Sequence, residues 1–381
     1  MFLFDEITFR CYSNSPFCRK FLKRRIFLSS ENRKRSEKAG LLRLTKELSS
    51  ALIMALIAII YVIQAFKIPT GSMEESLKVG DMLLGLKFIY GAPILPFSQE
   101  LGITQRLPAF TDPKPGDVVI FKYPGTDRKD YIKRNIAGPG SVIEIRNQLT
   151  FVDDQKIELP PAGKFERRIN IDERISNFSP LRIPQAGDVL QPDTMNIREF
   201  LFLKHLIRQE NTRSNLRVTF SIFVDGKNAD AVPFPFSGSK ITLSDLHSGN
   251  ISFRTQGGEQ RPFDFNTVDD WTHLDDILGF VTTQISNQFP ESEVELQKRL
   301  YLNGENVESY TVRFDNYFMI GDNRNNSMDS RYWGYVNRNF IKARAFILYL
   351  SLDTSSFPWI RWNRLGQLIR SYNGAVEQSE I

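Results

Sequence analysis

The chain has 381 residues, 24% of them charged, a net charge of +5 and a pI of about 9.0. That length allows one large domain or two modest ones, and two cysteines, Cys11 and Cys18, exclude a disulfide-stapled scaffold. Residues 1–46 hold twelve Lys or Arg against four Asp or Glu, so the remainder is net acidic; basicity confined to one terminal segment argues against a nucleic-acid-binding protein.

Residues 1–47 form a basic N-terminal segment that contains both cysteines. Six residues separate the two thiols and no histidine is near, a poor metal pattern, so they read as incidental. Leu48–Phe66 follows, nineteen residues without a charge. At ~1.5 Å per residue a helix of that length nearly covers the ~30 Å hydrocarbon core of a bilayer, and Tyr61, Gln64 and Phe66 suit its far interface. A core helix is rarely so continuously apolar. A cleaved signal sequence lies nearer the N-terminus and ends at a small-residue cleavage site. The run therefore reads as an uncleaved anchor in the lipid bilayer and, with no second run of this length, as a single span. Cationic flanks stay in the cytoplasm, so the basic segment is expected inside and everything after Phe66 outside.

Beyond Phe66 the pattern is mainly β: short runs of Val, Ile, Phe and Tyr punctuated by Gly, Pro, Asn and Asp. A Gly-Asp pair feeds an apolar run at Gly80-Asp81, Gly116-Asp117 and Gly187-Asp188, each read as a turn entering a strand. Hairpins are predicted at Phe151–Ile157, around Asp225-Gly226 and around Asn303-Gly304, because such residues accept the positive φ of tight turns. Two helices interrupt the β pattern. One is capped at Asp193-Thr194 and runs to Gln209, with Ile197, Phe200, Leu201 and Leu206 on one side. The other follows a capping signal at Thr267–Asp270, and its Trp271, Leu274, Ile277, Leu278, Val281 and Ile285 recur at helical spacing as a core-facing stripe. Both lie in a long middle segment, 148–308.

Directly after the apolar run stands Ile68-Pro69-Thr70-Gly71-Ser72-Met73. A lone serine beside Gly and Pro is usually a turn residue. Here Thr70 adds a second hydroxyl that can help bind an oxyanion, and Gly71 lets a backbone approach closely. A serine nucleophile needs a base. His205, His247 and His273 all fall in the middle segment in no catalytic context and read as surface or packing residues. Lys133, in Asp130-Tyr131-Ile132-Lys133-Arg134, can serve if burial strips its proton. On a strand it shares a face with Tyr131, and Ile132 shares the other with Arg134; a lysine that merely snorkels is the bland rival. The polar loop Gly321–Arg331 offers Ser327 as a partner for Lys133, and two ion pairs, Asp329–Arg331 and Asp322–Arg134. Alone it could be a turn network or a metal site, but carboxylates at metal-ligand spacing are absent, so no metal and no cofactor is expected.

Taken in order, Ile68–Met73, Pro115–Phe121, Asp130–Arg134 and Gly321–Arg331, with the closing stretch Leu350–Gly366, resemble the bacterial type I signal peptidases, membrane-bound Ser–Lys proteases. The resemblance implies a mainly β fold: an antiparallel catalytic domain built from 67–147 and 309–370, a β/α segment inserted over 148–308, and a C-terminal tail at 371–381. It implies Ser72 as nucleophile, Lys133 as general base, Thr70 with the Ser72 amide as oxyanion hole, and Ser327 as the group that orients Lys133. Substrates would be exported preproteins with small residues at the first and third positions before the cut, added as an extended strand between Ile68–Ser72 and Asp130–Lys133. Phe66, Ile68, Leu83, Ile120 and Ile132 match positions lining the substrate pockets, and Tyr131 stands with them as a further substrate contact. The implied location is a bacterial inner membrane, with the N-terminus in the cytoplasm and the catalytic domain on the outer face. The sequence departs from the pattern at Glu74-Glu75-Ser76, where X-Pro-Thr is usual, at Asn325 for Asp, and at Ala137-Gly138 and Ser141. Glu75 is expected to raise the Lys133 pKa. The alternative reading is a catalytically silent, membrane-anchored binding protein on the same scaffold.

Overall fold

A computed structural model of the protein describes residues 42–95, 105–126, 129–166, 171–249, 251–254, 260–353, 357 and 359–372. Most of the basic segment, both cysteines and nearly all of the tail lie outside these. Among the described residues, one helix, Leu42–Val62, is long and apolar enough to cross a membrane. It does not coincide with the uncharged run. It begins earlier, where an Arg43–Glu47 ion pair of 3.2 Å one turn apart supports the charged first turns. It ends earlier too: Ala58–Val62 widens into a π-helix and Ile63–Lys67 is already a strand. Apolarity alone cannot separate helix from buried strand; the β-branched Ile63 opens the strand, where it pairs with Leu86.

The main sheet has seven strands in the order Ile63–Lys67, Asp81–Leu86, Ile341–Ser351, Val118–Lys122, Asp130–Ala137, Asn316–Ile320 and Val336–Asn337, every neighbour antiparallel. The strand Val118–Lys122 pairs in register with the lysine strand, Val119 opposite Lys133 and Ile120 opposite Ile132. One face packs Ile68, Met73, Leu77, Leu83, Val118 and Ile120 together; the other packs Val119, Phe121, Met319 and Trp333. The Gly-Asp turns are three copies of one device. Gly80, Gly116 and Gly187 have φ of 90°, 90° and 93°. In each, the aspartate carboxylate accepts the N–H three residues back, from Lys78 (2.8 Å), Lys114 (3.1 Å) and Gln185 (2.9 Å).

The chain leaves the main sheet after Ala137 and returns at Asn316. A four-stranded side sheet takes Val142–Arg146, Leu149–Val152, Gln155–Ile157 and Leu181–Arg182, so the boundary expected at 148 falls between its first two strands. A second pairs Leu216–Val224 with Val294–Leu302, flanked by Lys227–Asn228 and Glu305–Asn306. The three hairpins close where the sequence places them, with positive φ at Asp153-Asp154, Asp225-Gly226 and Asn303-Gly304. The first long helix is Ile197–Glu210; Asn196 caps it with Glu199 in a reciprocal box, and Asp193-Thr194 belongs instead to a short 3₁₀ turn before it. The second, Trp271–Ser286, is capped by Asp270 as expected. Phe200, Leu201, Leu206, Leu274, Leu278, Val281 and Ile285 are buried in one core with Ile136, Phe318 and Ile320 of the main sheet. Insert and sheet are thus packed as one body.

The Gly80 turn yields a direct test. A Cβ there would lie 2.0 Å from the Leu352 carbonyl oxygen, at a φ that L-residues rarely adopt. We expect Gly80→Ala to destabilise the protein by about 1–3 kcal/mol, read as a lowered midpoint of denaturant unfolding in detergent.

Candidate active site

Ser72 sits in a single 3₁₀ turn, Gly71–Met73, entered from an extended Thr70. Met73 is fully buried with Leu77 and anchors the turn from below its own backbone. The polar loop braces it from the far side. The Asn323 N–H donates to the Ser72 carbonyl (3.1 Å), and the Asn323 side-chain amide donates to the Gly71 carbonyl (3.2 Å). Gly321 makes this approach possible, since a Cβ on it would lie 2.5 Å from the Ser72 carbonyl oxygen and 2.2 Å from the Ser327 hydroxyl.

Lys133 reaches the same point from the interior of the sheet. It is 4% exposed and Ser72 8%, and the amine is hydrogen-bonded to the Ser72 hydroxyl. The Tyr131 ring lies 5.7 Å from the amine, on the strand face the two share. Burial pushes the Lys133 pKa down to about 8; Asp329 and Asp322 oppose the shift and Arg331 assists it. Both carboxylates carry their own cation. Arg134 grips Asp322 through two nitrogens (2.8 and 2.7 Å), and Arg331 grips Asp329 likewise (2.8 and 2.8 Å). These are the two ion pairs legible in the sequence. Ser76 adds a hydrogen bond of 2.6 Å to Asp322.

A cleft of about 410 Å³ opens beside Ser72 and Lys133. Phe66, Ile68, Ile120, Tyr131 and Ile132 line it with Thr70, Ser72 and Lys133. Leu83 does not: it is fully buried in the core next to Ile68 and Ile120. Its strand pairing, Leu83 opposite Phe66, puts it one strand in from the lining. Ser327 is buried, yet it makes no well-formed hydrogen bond among the described residues; Asp329, and not the Lys133 amine, is the charged group it accompanies. Glu75 does not act on Lys133 either. It pairs with Lys78 (3.5 Å) and Lys164 (3.7 Å), which turn its charge outward. Its φ of 73° is one that proline cannot adopt, so the local departure from X-Pro-Thr is a departure of backbone as well as of charge.

Lys129 and Lys164 are neighbours of the site that carry no sequence signal. Lys164 forms a backbone bridge to Asn323 and an ion pair of 3.2 Å with Glu74. Lys129, Asp130, Asn326 and Met328 also line the cleft. The strand Asn316–Ile320 pairs with the lysine strand from Arg134 to Ala137 only, and the Asp130–Lys133 half borders the cleft. No group of three or more potential metal-ligating side chains occurs among the described residues. Of the histidines, His205 is fully buried, with Nδ1 2.8 Å from the Trp333 carbonyl and Nε2 3.1 Å from Asp269.

Comparison with known proteins adds an independent finding. The family model for signal peptidase, peptidase S26, matches residues 41–195 and 280–350. The chain is 24% identical to signal peptidase I of Buchnera aphidicola subsp. Acyrthosiphon pisum (strain APS) over 312 residues, 81% of this chain and 76% of that protein. It is 24% identical to signal peptidase I of Helicobacter pylori (strain J99 / ATCC 700824) over 349 residues, 86% of this chain and 93% of that one. Signal peptidase I of Aquifex aeolicus (strain VF5) is 24% identical over 297 residues, 76% of this chain and 77% of that one.

The close approach at Gly321 predicts that Gly321→Ala displaces the serine turn. We expect labelling of Ser72 by a serine-directed acylating probe to fall about a hundredfold, the scale set by an ångström-sized misplacement, with the thermal midpoint lowered far less than an unfolded site would require.

Proposed function

Because the chain belongs to the signal peptidase S26 family, whose model covers more than half of it, and is therefore a serine-type endopeptidase, we propose that it removes signal peptides from exported preproteins with Ser72 as nucleophile and Lys133 as general base. The observation that carries this reading is the hydrogen bond between a buried amine and a buried hydroxyl at the floor of an apolar cleft. A neutral Lys133 takes the Ser72 proton as Oγ attacks the scissile carbonyl. The tetrahedral oxyanion turns toward the Ser72 N–H, with the Thr70 hydroxyl, at the cleft lining, as second donor. The lysinium then protonates the leaving amine, which departs as the mature protein's N-terminus. Water, deprotonated by the same amine, hydrolyses the acyl-enzyme and restores the serine.

Substrate geometry follows from the cleft walls. A preprotein segment lies extended between Ile68–Ser72 and Asp130–Lys133, with main-chain hydrogen bonds for affinity. The apolar wall of Phe66, Ile68, Ile120 and Ile132 leaves room for small side chains at alternate positions, the first and third before the cut. Ser327, beside Asp329, orients the base through that carboxylate and not through a direct bond. The Leu42–Val62 helix and the preceding basic residues support anchoring in a bacterial inner membrane, with the N-terminus in the cytoplasm and the catalytic domain outside.

Two outcomes are expected. Ser72→Ala and Lys133→Ala each abolish cleavage of a preprotein with Ala at both specificity positions, while membrane insertion is retained; normal processing by either variant contradicts the dyad. Since the working form of Lys133 is neutral, kcat climbs about tenfold per pH unit below the pKa, bends near pH 8 and is flat above it. A profile that bends instead near pH 6.5 would point to histidine.

A further inference from the structure

The helix Ser330–Trp333 has only four residues and carries Arg331, the cation that neutralises Asp329 beside the base. A helix leaves its last four carbonyls without partners inside it, so a helix this short needs outside support. It comes from the insert. The Trp271 indole N–H donates to the Arg331 carbonyl at 2.7 Å, and the His205 Nδ1 lies 2.8 Å from the Trp333 carbonyl. Further along, the Gln209 amide donates to the Tyr335 carbonyl at 2.9 Å. Gly334, with φ of 90°, sits so close to Phe202 that a Cβ would lie 2.5 Å from its ring. Phe202, His205, Gln209 and Trp271 all fall between residues 195 and 280, the gap in the family-model match. The stretch outside the family-model match therefore seats an element of the catalytic part.

We propose that Trp271 is a positioning residue for the reaction: its indole N–H fixes the Arg331 backbone and so keeps the Arg331 guanidinium on Asp329, next to the Lys133 amine. The proposal rests on the reading of Lys133 as general base. The charged groups facing that amine are Asp329, Arg331 and Asp322. Arg134 holds Asp322, and the buried Arg324, whose carbonyl accepts from Arg331, lies close to all four. Tyr131 supplies the nearest ring. If Arg331 drifts, Asp329 is left uncompensated and a nearby positive charge is lost. Both changes favour the ammonium form of Lys133 and move its titration upward. Trp271 is the informative site because an indole N–H does not titrate. His205, in contact with Asp269 and close to Lys204 and Arg208, would bring a titration of its own.

The test compares the full chain and Trp271→Phe in detergent micelles, measuring kcat and KM for a preprotein across the pH range. We expect KM within about twofold of the parent and a kcat midpoint raised by about one unit. At neutral pH kcat then falls about tenfold, and on the alkaline plateau it recovers to within about twofold. An unchanged midpoint, or the same loss at every pH, overturns the proposal. A second variant separates hydrogen bond from packing: benzothienylalanine at 271 keeps the bicyclic ring and lacks only the N–H. If it reproduces the shift the bond is responsible; if only the Phe variant shifts, packing is responsible and the proposal fails. Lys133→Ala run in parallel reports on the base assignment itself. Cleavage by that variant would remove the reading beneath the proposal, whereas its silence together with an unshifted Trp271→Phe profile rejects the role of Trp271 alone.

Discussion

Everything at this site depends on an amine that is buried without a net charge to hold its proton. Taking an ammonium out of water is expensive, and a bare carboxylate nearby would remove the incentive to deprotonate. Two carboxylates do lie close to Lys133, Asp322 and Asp329, and each is held by its own arginine in a two-pronged ion pair. The four charges largely cancel, so desolvation decides the protonation state. That is why the pKa falls toward 8 although two acids are neighbours.

The fold supplies this balance from separated stretches of chain. Lys133 and Arg134 are consecutive on an interior strand, whose alternation sends one to the serine and the other to Asp322. Ser72 hangs on a turn beyond an edge strand, and Asn323 ties that turn to the polar loop. The same loop carries Asp322, Asp329 and Arg331. A shift in the loop would therefore move Ser72 and the charges around Lys133 together. The insert shares its core with the main sheet through Ile136, Phe318 and Ile320, which gives it mechanical purchase on these elements.

Local chemistry was legible in the sequence; long-range packing was not. Asp-Gly and Asn-Gly pairs mark their hairpins because few residues tolerate positive φ, and the stripe from Trp271 to Ile285 marks its helix by period alone. Ser72 and Lys133 could be picked out because a hydroxyl after an apolar run and a lysine on an apolar strand are both unusual. The pairs Asp322–Arg134 and Asp329–Arg331 followed from the need of so polar a loop to satisfy itself. Other features turn on geometry that no local pattern encodes. Phe66 reads as the end of a span, yet it lies on a strand because Leu83 across the sheet pairs with it. Leu83, by the same pairing, stands behind the lining it was expected to join. Ser327 accompanies Asp329 rather than the amine. Glu75 is turned away by Lys164, which lies far downstream in the chain. The contact of Trp271 with Arg331 links a helix start to a carbonyl in another element, and neither residue announces the other.

The most direct measurement is a titration of Lys133 itself. With 13C at the lysine ε-carbons, and the Lys133 resonance assigned by its absence in Lys133→Ala, the chemical shift followed against pH reports that one amine in the intact protein. The account requires a midpoint near 8, well below the 10.5 of an ordinary lysine. A Lys133 resonance that titrates at 10 or above would mean that the amine is charged where the enzyme works, and the nucleophile would have no base.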